Sequence, residues 1–518
     1  MTLFSGKASG ENVYGIWYNY SMDPEQIRRR QSLKVIVSEV LMTLTVIVTV
    51  IALVFVVSGY WLNSDFEIER QGLLQISSVP TGADVTIDGD TSWMQRTNTS
   101  KVLKSGEHIV TLTKEGYDSW SKTIDITEGL LYRVRYPRLF LKDRQKESVL
   151  SEPGTTLASV SPSNNTMLLI NETTKWNLAS LDVEPIKTKL LDVSQLFQST
   201  DGNVLTTKIT SLAWSGDNSH VLVRADNDVT MEWVLIDINK PENSLNLTKL
   251  FGASFEKIAI MDNSATNLVA IREGNLHKIN TASKSISAVL SSNVMNFDHY
   301  RDTVILSRQK SRNQTRSEAT DSTNFSDSTE VESTTQELND PSELDEQTTG
   351  LYEIVSLDLS SEKTTIIKDE LSPVMVNISR FYDDIIITTI IDNQVSLYKK
   401  EDFDEPFHQF KLSFSPNIIK NSHDSEFIVM SNGPQIASVD MEANILLEWS
   451  TDGSTYGWLQ DDMLYSVNEG KLYVYDADGL NRRNLAENVS SHFPVVITKN
   501  KWLYYFSDGS LIREAITD

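Results

Sequence analysis

The chain has 518 residues, a formal net charge of −25 and no cysteine. The missing thiols exclude disulfides, cysteine catalysis and Cys-ligated zinc, and so acidic a chain repels nucleic acid as a partner. Its length allows about two to four domains, and 40% hydrophobic residues supply a sizeable core.

Residues 1–34 read as a cytoplasmic tail with an aromatic cluster, Tyr14, Trp17, Tyr18 and Tyr20. The cluster suits anchoring on the inner leaflet, with docking of a cytoplasmic partner as the alternative. Ser21 or Asp23 is a helix cap, Pro24 fits a first turn and Glu25 favours the positive end of the helix dipole. Val40 to Trp61 then carries no charge. As a helix this run covers roughly 33 Å, enough to cross a bilayer. Residues 35–62 are therefore expected to be a transmembrane signal anchor with the lipid bilayer as partner. Arg28, Arg29, Arg30 and Lys34 precede it and Asp65, Glu67 and Glu69 follow, which places the tail inside and the remainder outside the membrane. A cleaved signal peptide is the competing reading; the long apolar run and the long tail before it favour an uncleaved anchor.

After a linker at 63–71, residues 72–142 alternate like strands: LLQISSV, ADVTIDG, HIVTLTKEGY, SKTIDIT and YRVRYPRLFL, broken at Pro80-Thr81-Gly82-Ala83 and Asp88-Gly89. In this order the Gly-Ala turn, the Asp-Gly turn, Gly106-Glu107-His108 and Glu115-Gly116-Tyr117 resemble the PEGA family of small bacterial extracytoplasmic β domains. Thr81 stands where the name-giving Glu would be. The resemblance implies a non-catalytic envelope module for which protein or carbohydrate binding has been proposed, with no defined site to carry over. The stretch from Asp90 to Ser100 departs from the family's short connection and is expected to be a polar loop. Its Trp93 and Met94, with Trp120 nearby, are the candidate binding residues, either tucked onto the domain's own core or exposed to a partner.

From residue 143 a pattern repeats. Asn165, Asp217, Asn263, Asp302, Asp383, Asp424, Asp461 and Asn500 each precede a short apolar run, at spacings of 52, 46, 39, 81, 41, 37 and 39. The spacing of 81 contains an insert at 309–350 with ten acidic and three basic residues, expected to be disordered. The rest approaches one four-stranded propeller blade per repeat. A second run in each repeat tends to end in Asp, as in WVLIDI, LYEIVSLDL, QIASVD and KLYVYDADG. SLAWSGDNSHVLV and WLQDDMLYSVNEGKLYVYDADG resemble TolB-like propellers. The fold expected for 143–518 is a β-propeller of eight blades, seven being the alternative. Its last repeat is a strand short, and a segment near Glu147–Ser151 is expected to supply it.

Chemistry is sparse. HExxH, GxSxG, GxGxxG and a P-loop are all absent from the sequence. Ser450 to Tyr456 approaches a sialidase Asp-box but reads better as a turn. Asp476, Asp478 and Asn481 put three oxygen side chains in one turn, a candidate for calcium that lacks the bidentate Glu and reads better as a hairpin. No catalytic residue and no cofactor is expected. The function expected is a non-enzymatic, mainly β cell-envelope protein that binds an envelope protein or cell-wall glycan as a scaffold or receptor. A propeller peptidase or glycosidase, and a sensor signalling through the tail, are the alternatives.

Overall fold

In the computed structural model, backbone is described for residues 24–57, 60–62, 68–134, 137–172, 174–197, 208–226, 230–261, 263, 265–310, 352–370, 372, 374–422, 424–442, 444–451, 453, 455–460 and 462–518. Within these, side chains at 24–35, 52, 55–57, 60–62, 68–70, 91–94 and 455–456 are outside the description. The chain forms two compact units. One comprises Met1–Ser77, Thr86–Val110 and Thr123–Arg135; the other comprises Ser78–Val85, Thr111–Lys122 and Tyr136–Asp518.

In the first unit, helix α1 (Pro24–Val57) begins at the proline that suits a first turn. Its described side chains, 36–51, 53 and 54, are all exposed. Three threonine hydroxyls donate to carbonyls four residues back, Thr43 to Glu39, Thr45 to Leu41 and Thr49 to Thr45, each at 2.8 Å. Among the described residues no helix is long and apolar enough to cross a membrane, so the expected span at 35–62, which lies partly outside them, is not supported there. Strand β1 (Tyr60–Leu62) pairs with β2 (Ile68–Ile76). Alternation along β2 buries Leu74 and Ile76 while Leu73 and Gln75 face out.

Strand β3 (Asp84–Ile87) is followed by β4 (Asp90–Arg96) and β5 (Thr99–Lys104). The expected loop at 90–100 is thus mostly strand. Its Thr- and Trp-containing arms have β propensity, and Asn98 adopts the left-handed φ of +72° in the connection between them. Strands β6 (Gly106–Thr113), β7 (Trp120–Ile126) and β8 (Leu131–Val134) follow. Strand β2 takes β5 antiparallel on one side and β8 parallel on the other.

The second unit contains, among the described residues, eight successive four-stranded antiparallel sheets. Blades 1 to 7 occupy 155–192, 208–246, 257–286, 294–370, 375–411, 418–450 and 455–487. Blade 8 has three strands at 496–515, and its fourth is β9 (Lys146–Ser151), from the other end of the ring. There Ser510 pairs with Ser151 and Arg513 with Glu147. This is the closure the short last repeat calls for, and it gives eight blades among the described residues.

All eight apolar runs form the second strands of their blades. They are buried on both faces, because alternate side chains reach opposite neighbours. In blade 1, Leu168 and Ile170 pack with Val221 and Val223 of blade 2. Met167 and Leu169 pack with Tyr504 and Phe506 of blade 8. Six further cores join each remaining pair of neighbouring blades. The eight sheets therefore close into a ring in which, among the described residues, every blade packs against two neighbours.

The turn chemistry explains the Asn/Asp anchors. In blade 2, Ser215 Oγ receives the N–H of His220 and donates to Asp217, which also accepts from Ser219 N at 2.9 Å. Blade 6 repeats this with Ser422, Asp424 and Phe427 N. Asn164 and Asn218 sit at φ +56° and +60° in such turns, a conformation Asn tolerates. The insert falls between the second strand (Thr303–Gln309) and third strand (Tyr352–Asp358) of blade 4, whose ends pair Gln309 with Tyr352. Residues 311–351, nearly all of the insert expected to be disordered, lie outside the described residues.

Candidate functional site

The third strands of blades 2, 4 and 6 end in Asp237, Asp358 and Asp440. Each carboxylate caps the turn that follows it. Asp237 accepts from Asn239 N and Lys240 N, Asp358 from Ser360 N and Ser361 N, and Asp440 from Glu442 N. This is an Asx turn, and it explains why the repeat favours Asp there. The hydroxyl of Ser360 and the amide of Ser361, with the Ser361 hydroxyl beside them, hold the Asp358 carboxyl far below the usual carboxylate range.

Blade 7 departs from this pattern. Its third strand (Lys471–Asp476) ends in Asp476, but Asp478 takes over the turn by accepting from Leu480 N at 3.0 Å. Asp476 instead accepts from Trp120 Nε1 at 2.7 Å and from Asn481 Nδ2 at 2.8 Å. Lys122 forms an ion pair with Asp478, and Ser121 N donates to Asn481 Oδ1 at 3.2 Å. The Asp476 carboxyl is wholly buried. Loss of solvation, with the charge of Asp478 beside it, pushes its pKa up to about 6 against the opposing pull of Trp120, Arg483 and Asn481. Gly479, at φ +80°, lies against the Trp449 ring, where a side chain would clash.

One candidate binding residue, Trp120, thus meets the turn proposed for calcium. Trp120 is completely buried and serves the turn from within, so it is not an exposed binding ring. Of the oxygens proposed for calcium, Asp476 Oδ2 accepts from Trp120, Asp478 pairs with Lys122 and accepts from Leu480 N, and Asn481 Oδ1 accepts from Ser121 N; among the described residues no cluster of three acidic or histidine side chains suits a metal. The side chains of Trp93 and Met94 lie outside the described residues, as do Asp452 and Ser454 of the Asp-box-like stretch.

More of the PEGA-like stretch is built into the same unit. Phe140 is buried in the core between blades 7 and 8. The Arg138 guanidinium, 5% exposed, donates to Asn500 Oδ1 at 2.8 Å and also to Gln460. Burial pulls its pKa down to about 10, partly offset by Asp462. Tyr117 donates its hydroxyl to Asp518 Oδ2 at 3.1 Å.

Beside the Asp476 turn lies an open cleft of about 530 Å³. Four cations line it, Lys114, Lys142, Arg482 and Arg483, against one carboxylate, Asp118. Lys114 is held by the carbonyl of Thr81 at 2.8 Å. Arg483 donates to the carbonyls of Arg138 at 2.7 Å and Ser119 at 3.2 Å. The Arg482 guanidinium lies 4.2 Å from the centre of the Tyr473 ring. Thr113, Ser119 and Asn484 add neutral polar groups. Sequence reasoning missed this site because Lys114 and Arg482 are far apart in the chain; the only local signal is the Arg482-Arg483 pair in a strongly acidic protein.

Residues 71–138 match the PEGA domain. No curated protein matches the chain. Among solved structures, the C-terminal WD40 domain of Sif2 aligns at 13% identity over 72% of this chain and 99% of its own, with a TM-score of 0.45. An oligogalacturonate lyase from Vibrio parahaemolyticus aligns at 10% identity over 73% and 98%, with a TM-score of 0.38. The computationally designed Ika8 protein aligns at 10% identity over 72% and 98%, with a TM-score of 0.39. The ring described above rests on its own sheets and cores rather than on these likenesses.

Proposed function

We propose that this chain is a single-pass membrane protein, N-terminus inside, that presents its PEGA-like stretch and propeller outside the cell membrane for non-enzymatic binding of an envelope protein or glycan. The observation that carries the reading is a PEGA match leading directly into a closed ring of eight blades. The ring is a rigid platform whose turns are free to vary. Anchoring is supported by the uncharged run Val40–Trp61, by the exposed apolar side chains of α1, and by threonine hydroxyls satisfied within the helix, as hydrocarbon surroundings demand. Orientation is supported by Arg28–Arg30 and Lys34 on one side and Asp65, Glu67 and Glu69 on the other.

Protease added to intact cells tests this reading. Degradation of everything beyond the anchor, leaving a short membrane-bound N-terminal fragment, is the expected result. Protection of the propeller would overturn the topology. Turnover of a peptide or glycan panel by the purified chain would overturn the non-enzymatic part.

A further inference from the structure

We infer that the cleft beside the Asp476 turn binds an anionic oligosaccharide, one that carries carboxylate or phosphate groups along a chain of sugar hydroxyls. The inference deepens the binding reading above and rests on it.

The cleft's charge is opposite to that of the chain. The whole chain carries −25, yet four cations and one carboxylate line this cleft. A cationic cleft in an acidic surface focuses field onto itself and draws anions there selectively. The cations are also preorganised. Arg483 is braced by two carbonyls, Lys114 by a third, and Arg482 by the Tyr473 ring. Bracing reduces the rotamer entropy that a ligand must otherwise overcome. Arginine also offers a planar fork that matches either a carboxylate or a phosphate.

The lining suits a glycan better than a peptide. A peptide groove needs apolar pockets for anchoring side chains. Here the aromatic lining residue, Tyr117, is only 3% exposed and its hydroxyl is committed to Asp518. The remaining neutral lining is the hydroxyls of Thr113 and Ser119 and the amides of Asn481 and Asn484. Asn481 is already engaged at both ends by Ser121 N and Asp476. Asn484, Thr113 and Ser119 are exposed groups of the kind that pair with sugar hydroxyls. The cleft's volume accommodates a few sugar units.

Calorimetric titration of the full chain in detergent at low salt tests the inference, with three probes: a trisaccharide of uronic acid, a glycerol-phosphate oligomer and maltotriose. Binding of either anionic probe, weakening as salt rises and absent for maltotriose, is the expected result, and the arm that responds identifies the anion. The Lys142→Glu/Arg482→Glu double variant should weaken that binding at least tenfold while its melting temperature stays within a few degrees of the wild type, since both side chains are exposed. Arg482→Lys, which keeps the charge and loses the fork, should fall between. Silence of both anionic arms, equal binding of maltotriose, or binding indifferent to charge reversal would each overturn the inference. Silence together with the expected protease pattern would remove this ligand and leave the anchored topology standing.

Discussion

Asp358 in blade 4 and Asp476 in blade 7 hold the same place in the repeat, the last residue of the third strand. Their carboxyls have moved in opposite directions. At Asp358 the hydroxyls and amides of Ser360 and Ser361 stabilise the charge at little cost in solvation. At Asp476 burial under Trp120 penalises the charge more than its two donors, Trp120 and Asn481, recover. One sequence position thus serves either as a local turn cap or as a distant fastening. The surroundings decide which, and Asp478 allows the change by capping the blade 7 turn in its neighbour's place.

Both aspartates sit in a closed ring, and the largest expected effect comes from opening it. Deleting Ser510–Asp518 removes the partner of β9 together with Leu511 and Ile516, both fully buried. We expect the melting temperature to fall by about 10 °C or more. An unchanged melting curve would mean that the ring does not depend on this seam.

Next is the fastening itself. Trp120→Ala vacates a completely buried site and strips Asp476 of a donor, so denaturant unfolding should show a loss of about 3–5 kcal/mol. If it costs no more than an exposed substitution, Trp120 is not what holds this segment to blade 7.

Acid sharpens the contrast through its sign. Asp476 binds its proton more tightly in the folded chain than a free carboxyl does, so its stabilisation is complete below about pH 4 and is lost as the pH rises through about 6. Asp476→Asn should flatten that dependence, with a difference between the proteins of up to about 3 kcal/mol between pH 4 and 7. Asp358 is depressed, so its contribution is complete above about pH 4 and is lost as the pH falls. Asp358→Ala should therefore lower stability near neutrality, by less, because the group lies at the surface. Unfolding curves of both variants from pH 3 to 8 check the two signs, and slopes of the same sign would dissolve the comparison.

The smallest effect is expected at the other end of blade 4. Antiparallel strands put the turn between second and third strands opposite the turn that Asp358 caps. The interrupted turn begins and ends at a formed pair, Gln309 with Tyr352. Replacing 311–351 by a short Asn-Gly turn should move the melting temperature by no more than about 2 °C, since loop length itself costs little.

Much of the ring was legible because each blade signals itself locally. Eight apolar runs marked eight second strands, and the missing strand of the last repeat pointed back to Glu147–Ser151. Outer strands were harder to read. Lys187–Asp192 and Lys363–Glu370 are mostly exposed and polar, so neither burial nor alternation marks them. The stretch around Trp93 looked like a loop because its polar residues mask the two strand arms. The fastening at Asp476 had no local signal. Trp120 and Asp476 are separated by hundreds of residues, and nothing in the neighbourhood of either says that they meet.

The two-sided second strands have a consequence for how such a ring changes over evolutionary time. A residue such as Leu168 answers to blade 2, while its sequence neighbour Leu169 answers to blade 8. Every blade is therefore fitted to two different neighbours at once. A substitution accepted at one seam sets new terms for that seam alone. Copies that began alike would drift apart seam by seam, keeping the alternation and the turn residues while losing likeness in the letters between. A blade moved to another place in the ring would arrive with both flanks mismatched.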